Sequence, residues 1–247
     1  MAAGAYPQPR YLPAGDRALV VELGDAIDPE VNRRVHDLTQ ALERGGLPGL
    51  DEMVPTYRSL LVYYDPARTD MEGLVQGIEG LRRDLGRVEL ARPRVVLLPT
   101  LYGDEFGPDL DFVAQHNGLT PQEVVEIHSG TDYLVYMLGF SPGFPYLGGM
   151  SERIATPRLS SPRVEIPAGS VGIAEAQTGV YPVASPGGWR IIGRTPLRLF
   201  DPQAEPPSLL RPGDYVRFVP LASRQEYDAI LQRVERGEYQ PETEEAS

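Results

Sequence analysis

The sequence predicts an α+β chain in two parts. A small N-terminal α/β sandwich spans residues 1–91, and a β-barrel domain spans residues 92–237. An acidic, disordered tail is expected over residues 238–247. Two observations carry this reading. Up to about Ala91, strand-like and helix-like runs alternate. Beyond Pro93, short strand-like runs follow one another, punctuated by Gly and Pro, which is the pattern of a barrel or sandwich.

"RALVVEL" (Arg17 to Leu23) reads as the first strand. Asp28 then caps a helix, with Pro29 at its first position and Glu30 in its first turn. Val31, Val35, Leu38 and Leu42 recur at helical spacing, and Gly45-Gly46 ends the run. "MVPTYRSLLVYYD" supplies strand material up to Asp65. A second helix follows, with Leu74, Val75, Ile78, Leu81 and Leu85 on one face. "RVELARPRVVLLP" then returns as extended chain, giving a β-α-β-α-β order with helices on one face of a sheet.

The second part opens with two short helices, near Asp109 to His116 and Pro121 to His128. Thr120 caps the latter and Glu123 closes a capping box. The expected strands are "YLVYMLG", "SVGIAEA", "GVYPVA", "WRIIG", "LRLF" and "DYVRFVPL". Ser223 opens a last helix, with Tyr227, Ile230, Leu231 and Val234 on one side.

Composition excludes whole classes of chemistry. A formal net charge of −12 argues against a general nucleic-acid or anionic-membrane binder. No cysteine means no disulfide, no thiolate nucleophile and no Cys-based zinc site. No lysine means no phosphate-loop lysine, no Schiff base and no Ser-Lys dyad. The N-terminal "MAAGAYPQPR" lacks the apolar core of a signal peptide, so the cytoplasm is the default location.

"YLVYMLGFSPGFPYLGGM" (Tyr133 to Met150) is uncharged, yet Gly139, Pro142, Gly143 and Pro145 break any membrane-spanning helix. It reads as a buried strand followed by a rigid loop presenting Phe140, Phe144 and Tyr146, either as a pocket wall, as a partner surface or as a cover on the barrel's own core. "PGGWRIIGRTP" (Pro186 to Pro196) carries the sole tryptophan, Trp189, with Arg190 and Arg194. Its glycines can expose backbone N–H groups to an oxyanion, or simply form a β-turn with solvated arginines. Between the two loops lie Arg158, Arg163, Gln177, Thr178 and Tyr181. No G-x-S-x-G elbow, G-x-G-x-x-G fingerprint or H-E-x-x-H pair occurs, so no metal site is expected. His36 reads as a surface residue. His128 can serve as a general base or as a structural hydrogen-bonder, the commoner role of a lone histidine.

Several long motifs then fall in order: "HSGTDYLVYMLGFSPGFPYLGGM", "TPRLSSPRVEIPAGSVGIA", "QTGVYPVASPGGWRIIGRTPLRLFD" and "RPGDYVRFVP". Together with "GDRALVVELGDAIDPEVNRRV" and "VPTYRSLLVYYDP" they resemble the family of allophanate hydrolase subunit 1, which also includes the B-type subunits of 5-oxoprolinases and a sporulation kinase inhibitor. The resemblance runs from about Tyr11 to Leu221 and extends to half of the carboxyltransferase module of urea carboxylases. It implies a cyclophilin-like barrel after the N-terminal domain. It implies a homologous carboxyltransferase-like partner subunit and a third, lactam-hydrolysing subunit. The implied activity is ATP-dependent opening of 5-oxoproline to glutamate, with ATP and a divalent cation, Mg, bound by the assembled complex, and this chain inactive alone. The alternatives it leaves are a histidine-kinase inhibitor and a subunit of a biotin-dependent urea or allophanate system.

Onto this sequence the resemblance carries Gly143, Phe144, Gln177, Tyr181, Gly188, Trp189, Arg194 and Thr195 as pocket members, with His128 as the expected acid–base group. "GFSPGFPYLGG" is expected at the barrel's open edge, sharing a site with the partner, with Phe144 as its anchor. One departure is Glu175, where a small residue, often glycine, is expected.

Overall fold

The computed structural model describes residues 4–83 and 93–246. It divides into two compact units, meeting in sequence at Arg92/Pro93. Arg87 to Arg92 of the expected extended return, and Leu85 of the second helix face, lie outside the described residues.

The first unit is built from β1 (Ala5–Pro13), β2 (Ala18–Gly24), α1 (Pro29–Gly45), β3 (Leu50–Pro55), β4 (Ser59–Tyr64) and α2 (Met71–Arg83). Its sheet runs β1-β2-β4-β3 and every pairing is antiparallel. Asp28 caps α1 by accepting from the Glu30 and Val31 N–H groups at 2.9 and 3.2 Å. Val31, Val35, Leu38 and Leu42 of α1 and Leu74 and Ile78 of α2 pack on Leu19, Val21, Leu60 and Val62. Fully burying each such side chain stabilises by about 1.5–3 kcal/mol. The expected β-α-β-α-β order needs correction here. The N-terminal residues form a strand, "MVPTYRSLLVYYD" folds back as the β3–β4 hairpin, and Arg94–Tyr102 belongs to the second unit. Pro7, Pro9 and Pro13 hid β1, which is an edge strand, the place where a sheet tolerates proline. His36 is buried rather than exposed, with its Nε2 2.9 Å from Asn32 Oδ1.

The second unit contains β5 (Arg94–Tyr102), α3 (Leu110–Asn117), α4 (Pro121–Ser129), β6 (Tyr133–Leu138), β7 (Pro145–Gly148), β8 (Arg163–Ile166), β9 (Ser170–Ala174), β10 (Gln177–Val180), β11 (Ser185–Gly187), β12 (Arg190–Arg194), β13 (Tyr215–Pro220), α5 (Arg224–Glu235) and β14 (Thr243–Glu245). The main sheet runs β10-β9-β12-β5-β13-β6-β7 and curls into a nearly closed barrel. Alternate residues point inward, as a two-residue repeat requires: Val96 and Leu98, Tyr133 and Val135, Val171 and Ile173, Val216 and Phe218. Leu110, Val113 and Val124 of α3 and α4 pack on the same core. The Thr120–Glu123 capping box forms as expected.

Two strand-level expectations fail in this unit. "LRLF" forms no strand beyond one bridge at Phe200, although Leu197 and Leu199 are buried; the stretch fills the core without joining the ladder. The acidic tail is not disordered throughout. Thr243–Glu245 pairs antiparallel with Val96, Val95 and Arg94, because β5 offers a free edge there and Arg217 neutralises Glu244 at 2.8 Å. No helix among the described residues is long and apolar enough to cross a membrane.

Candidate functional site: an aromatic pocket at the barrel seam

β7 and β10 are the two end strands of the curled sheet, and no ladder joins them among the described residues. A cavity of about 180 Å³ opens along this seam. Tyr146 enters it from β7, Gln177 from β10, and Tyr181 from just beyond β10. β11 adds Pro186 and Gly187, its connection to β12 adds Gly188 and Trp189, and the β6–β7 loop adds Phe140 and Phe144.

The loop is held by its own backbone. Gly139 N–H donates to Phe144 O at 3.1 Å, and Phe144 N–H to Ser141 O at 3.0 Å. Gly143 sits at φ +77, and a Cβ there would approach Phe200 Cβ to 2.9 Å, so the turn requires glycine. The result is an edge-to-face cluster. The Phe144 ring lies 5.6 Å from Tyr146, 5.9 Å from Tyr181 and 5.8 Å from both Trp189 and Phe140. Phe144 is only 5% exposed, whereas Phe140, at φ +67, is 78% exposed. The rim aromatic is therefore Phe140. Phe144 is the floor, which corrects the expectation that Phe144 is a partner anchor. Gly187 permits the far wall: a Cβ there would stand 2.3 Å from Tyr181 Oη.

Charge in the pocket is one-sided. Its lining contains Arg158 and no carboxylate. Neighbouring arginines are already engaged. Arg163 pairs with Asp109 at 2.9 Å, and Arg190 lies 3.7 Å over the Phe112 ring while donating to Pro157 O. Asp109 also accepts the Ile191 N–H at 2.7 Å, which fixes the start of β12. Burial raises the Tyr181 hydroxyl's pKa, against the Trp189 N–H and the charges of Arg158 and Arg163, so it stays protonated and able to donate.

The structure brings together Phe144, Gln177, Tyr181, Gly188 and Trp189 of the expected site. Gly143 shapes the loop without lining the cavity. Arg194 and Thr195 lie elsewhere. The Arg194 guanidinium faces the Phe106 ring at 5.6 Å, beside Tyr227 of α5, and Thr195 is buried where its Oγ1 accepts the Leu197 N–H at 3.3 Å. Glu175 holds the β9–β10 turn at φ +51, the left-handed conformation that favours glycine, and its side chain points to solvent.

His128 does not fit the acid–base role expected for it. It is fully enclosed, between Tyr133 and Phe218, and outside the pocket. Thr178 Oγ1 donates to Gly172 O at 3.0 Å, so His128 Nε2–H donates to Thr178 at 2.8 Å and Nδ1 accepts from Tyr102 Oη at 2.8 Å. This fixes the neutral tautomer and ties α4 to β5 and β10 through the core. Burial lowers its pKa from 6.5 to about 3.

The sequence offered Phe140 and Tyr146 as a pocket wall only as one of three readings and Gly187 only as a backbone donor, and it gave Arg158 and Pro186 no place in the pocket. The aromatics of the β6–β7 loop were visible as a set. Nothing in "TPRLSSPR" marks Arg158, which reaches the site through long-range contacts alone. The pocket does not fit a nucleoside triphosphate with its divalent cation: it offers one guanidinium and no carboxylate, and no cluster of three metal-ligating side chains occurs among the described residues.

The B-type subunit of the Bacillus subtilis 5-oxoprolinase is 50% identical over 85% of this chain and 92% of its own length. The urea amidolyase of Lachancea kluyveri is 26% identical over 97% of this chain, which spans 15% of that protein. Among solved structures, TTHA0988 superposes with a TM-score of 0.74 and 39% identity, over 84% of this chain and 40% of that one. Residues 9–210 match the model described as carboxyltransferase domain, subdomain C and D, and the chain belongs to that family.

Proposed function

We propose that this chain is the B-type subunit of an ATP-dependent 5-oxoprolinase and that its seam pocket holds 5-oxoproline. The near full-length likeness to the Bacillus subtilis protein carries the reading. The pocket's chemistry supports it. A small, flat lactam suits walls of Phe144, Tyr181 and Trp189, and the Gln177 amide can pair with the donor–acceptor edge of a ring amide. This chain's share is to bind and orient the lactam and to keep water from it. A homologous carboxyltransferase-like subunit covers the open seam, a third subunit completes ring opening, and ATP binds away from this pocket at a site the partner completes. The test is reconstitution of the three subunits, with release of glutamate and of phosphate measured on adding 5-oxoproline. This chain alone should show no turnover. Absence of turnover by the full assembly defeats the reading. The Lachancea kluyveri likeness favours a second reading, a part of a biotin-dependent urea system, for which urea-dependent, avidin-sensitive carboxylation is the assay.

A further inference from the structure

Arg158 is the charged side chain of the pocket, and no acidic partner meets it among the described residues. Its guanidinium lies 5.8 Å over the Trp189 ring. Arg163 and Arg190 nearby are held by Asp109, Trp189 O and Pro157 O. The backbone on each side of Arg158 is tied down. Leu159 N–H donates to Gly188 O at 2.7 Å, and Pro157 O accepts from Arg190 Nε at 3.2 Å. Thr156 and Glu175 exchange backbone hydrogen bonds at 3.1 and 2.8 Å. The cation is thus carried on a fixed segment at the mouth of an aromatic box. The neighbouring Tyr181 hydroxyl keeps its proton and supplies a second donor.

A formal net charge of −12 repels anions from the molecule at large, so an anionic ligand needs a local cation. A guanidinium free of carboxylates, beside an aromatic face, matches a planar carboxylate through two parallel N–H···O bonds. One guanidinium balances one negative charge, which suits a monocarboxylate on a ring and not a triphosphate. We infer that Arg158 is the specificity residue of this pocket, reading the carboxylate of a small ring acid while the aromatic walls hold the ring. The inference rests on the reading of the pocket as a 5-oxoproline site and names the group that separates this lactam from its uncharged analogue.

The experiment compares 5-oxoproline, pyrrole-2-carboxylate and 2-pyrrolidinone, which lacks the carboxylate, binding to the full chain and to its Arg158→Gln and Arg158→Lys variants. The wild type should bind both ring acids more tightly than 2-pyrrolidinone. Arg158→Gln should weaken the acids by about 10- to 100-fold, the range for a hydrogen bond to a charged group, and leave 2-pyrrolidinone within about twofold. Arg158→Lys should recover only part of the loss. Unchanged 2-pyrrolidinone binding shows that the pocket is intact. Equal weakening of acids and neutral ring, no weakening of either, or no preference of the wild type for the acids overturns the inference. If ring acids bind through Arg158 while the three-subunit assembly leaves 5-oxoproline intact, the inference stands and the 5-oxoprolinase reading falls. If the assembly turns over 5-oxoproline with unchanged KM in Arg158→Gln, the reverse holds.

Discussion

Acid should destabilise this protein through His128. In the unfolded chain a histidine titrates near 6.5, whereas in the folded barrel burial lowers His128 to about 3. Between those values the unfolded state binds one proton more than the folded state. Stability therefore rises with pH in that window and is lost as pH falls from about 6.5 towards 3, with no contribution above 6.5. The slope is about 1.4 kcal/mol per pH unit, so going from pH 7 to pH 5 costs about 2 kcal/mol. The enclosing groups are Tyr102, Tyr133, Phe218 and Thr178, none of which is a carboxylate able to hold an imidazolium. The assay is urea unfolding of the full chain at pH 5, 6 and 7, for wild type and His128→Gln. The variant starts less stable at pH 7, since a buried bond is lost, but its loss between pH 7 and pH 5 should be smaller by those 2 kcal/mol. His36, His116 and the carboxylates are common to both proteins and cancel in the difference. An NMR titration placing the folded His128 pKa near 6.5, or equal slopes in the two proteins, would rule out this origin of the acid sensitivity.

The aromatic cluster separates two neighbouring phenylalanines. Phe144→Ala should cost about 3–5 kcal/mol of stability, the usual range for a buried phenylalanine, and lower the melting temperature. Phe140→Gly removes an exposed ring from a left-handed backbone, so the melt should hold or rise while association with the partner weakens about 10-fold or more by calorimetry. Gly187→Ala drives a methyl into Tyr181 Oη and the buried Ile166, so it should cost about 1–3 kcal/mol of stability and raise KM for 5-oxoproline in the proposed assembly.

The helices were legible because their signals are local. Asp28, Thr120 and Ser223 cap α1, α4 and α5, and Val31, Val35, Leu38 and Leu42 mark one buried face. The aromatic wall was legible in part, since Phe144, Tyr181 and Trp189 stand in loops dense with Gly and Pro. What escaped depends on long-range placement. The burial of His128 comes from Tyr102 and Thr178, distant in sequence, and could not be read from its neighbours. Arg194 shares "GGWRIIGRTP" with Trp189, yet it lies at the far end of β12 from Trp189, against Phe106. Gln177 was expected from the family resemblance, but Arg158 joins it in the pocket lining only because the sheet curls until β10 approaches β7, and no short stretch encodes that approach. β14 was hidden by its own acidity, which Arg217 offsets.

Trp189 is the only tryptophan in the chain, and its ring stands in the pocket wall. Its indole N–H thus gives one resonance in a nitrogen-15-labelled chain, even when that chain is assembled with unlabelled partners. Titrating 5-oxoproline into this complex asks whether the seam pocket is the lactam site. A saturable shift of that resonance is expected, with a midpoint close to the dissociation constant measured by calorimetry on the same complex. A resonance that stays fixed while the complex turns over 5-oxoproline would place the substrate elsewhere and contradict the assignment of the pocket.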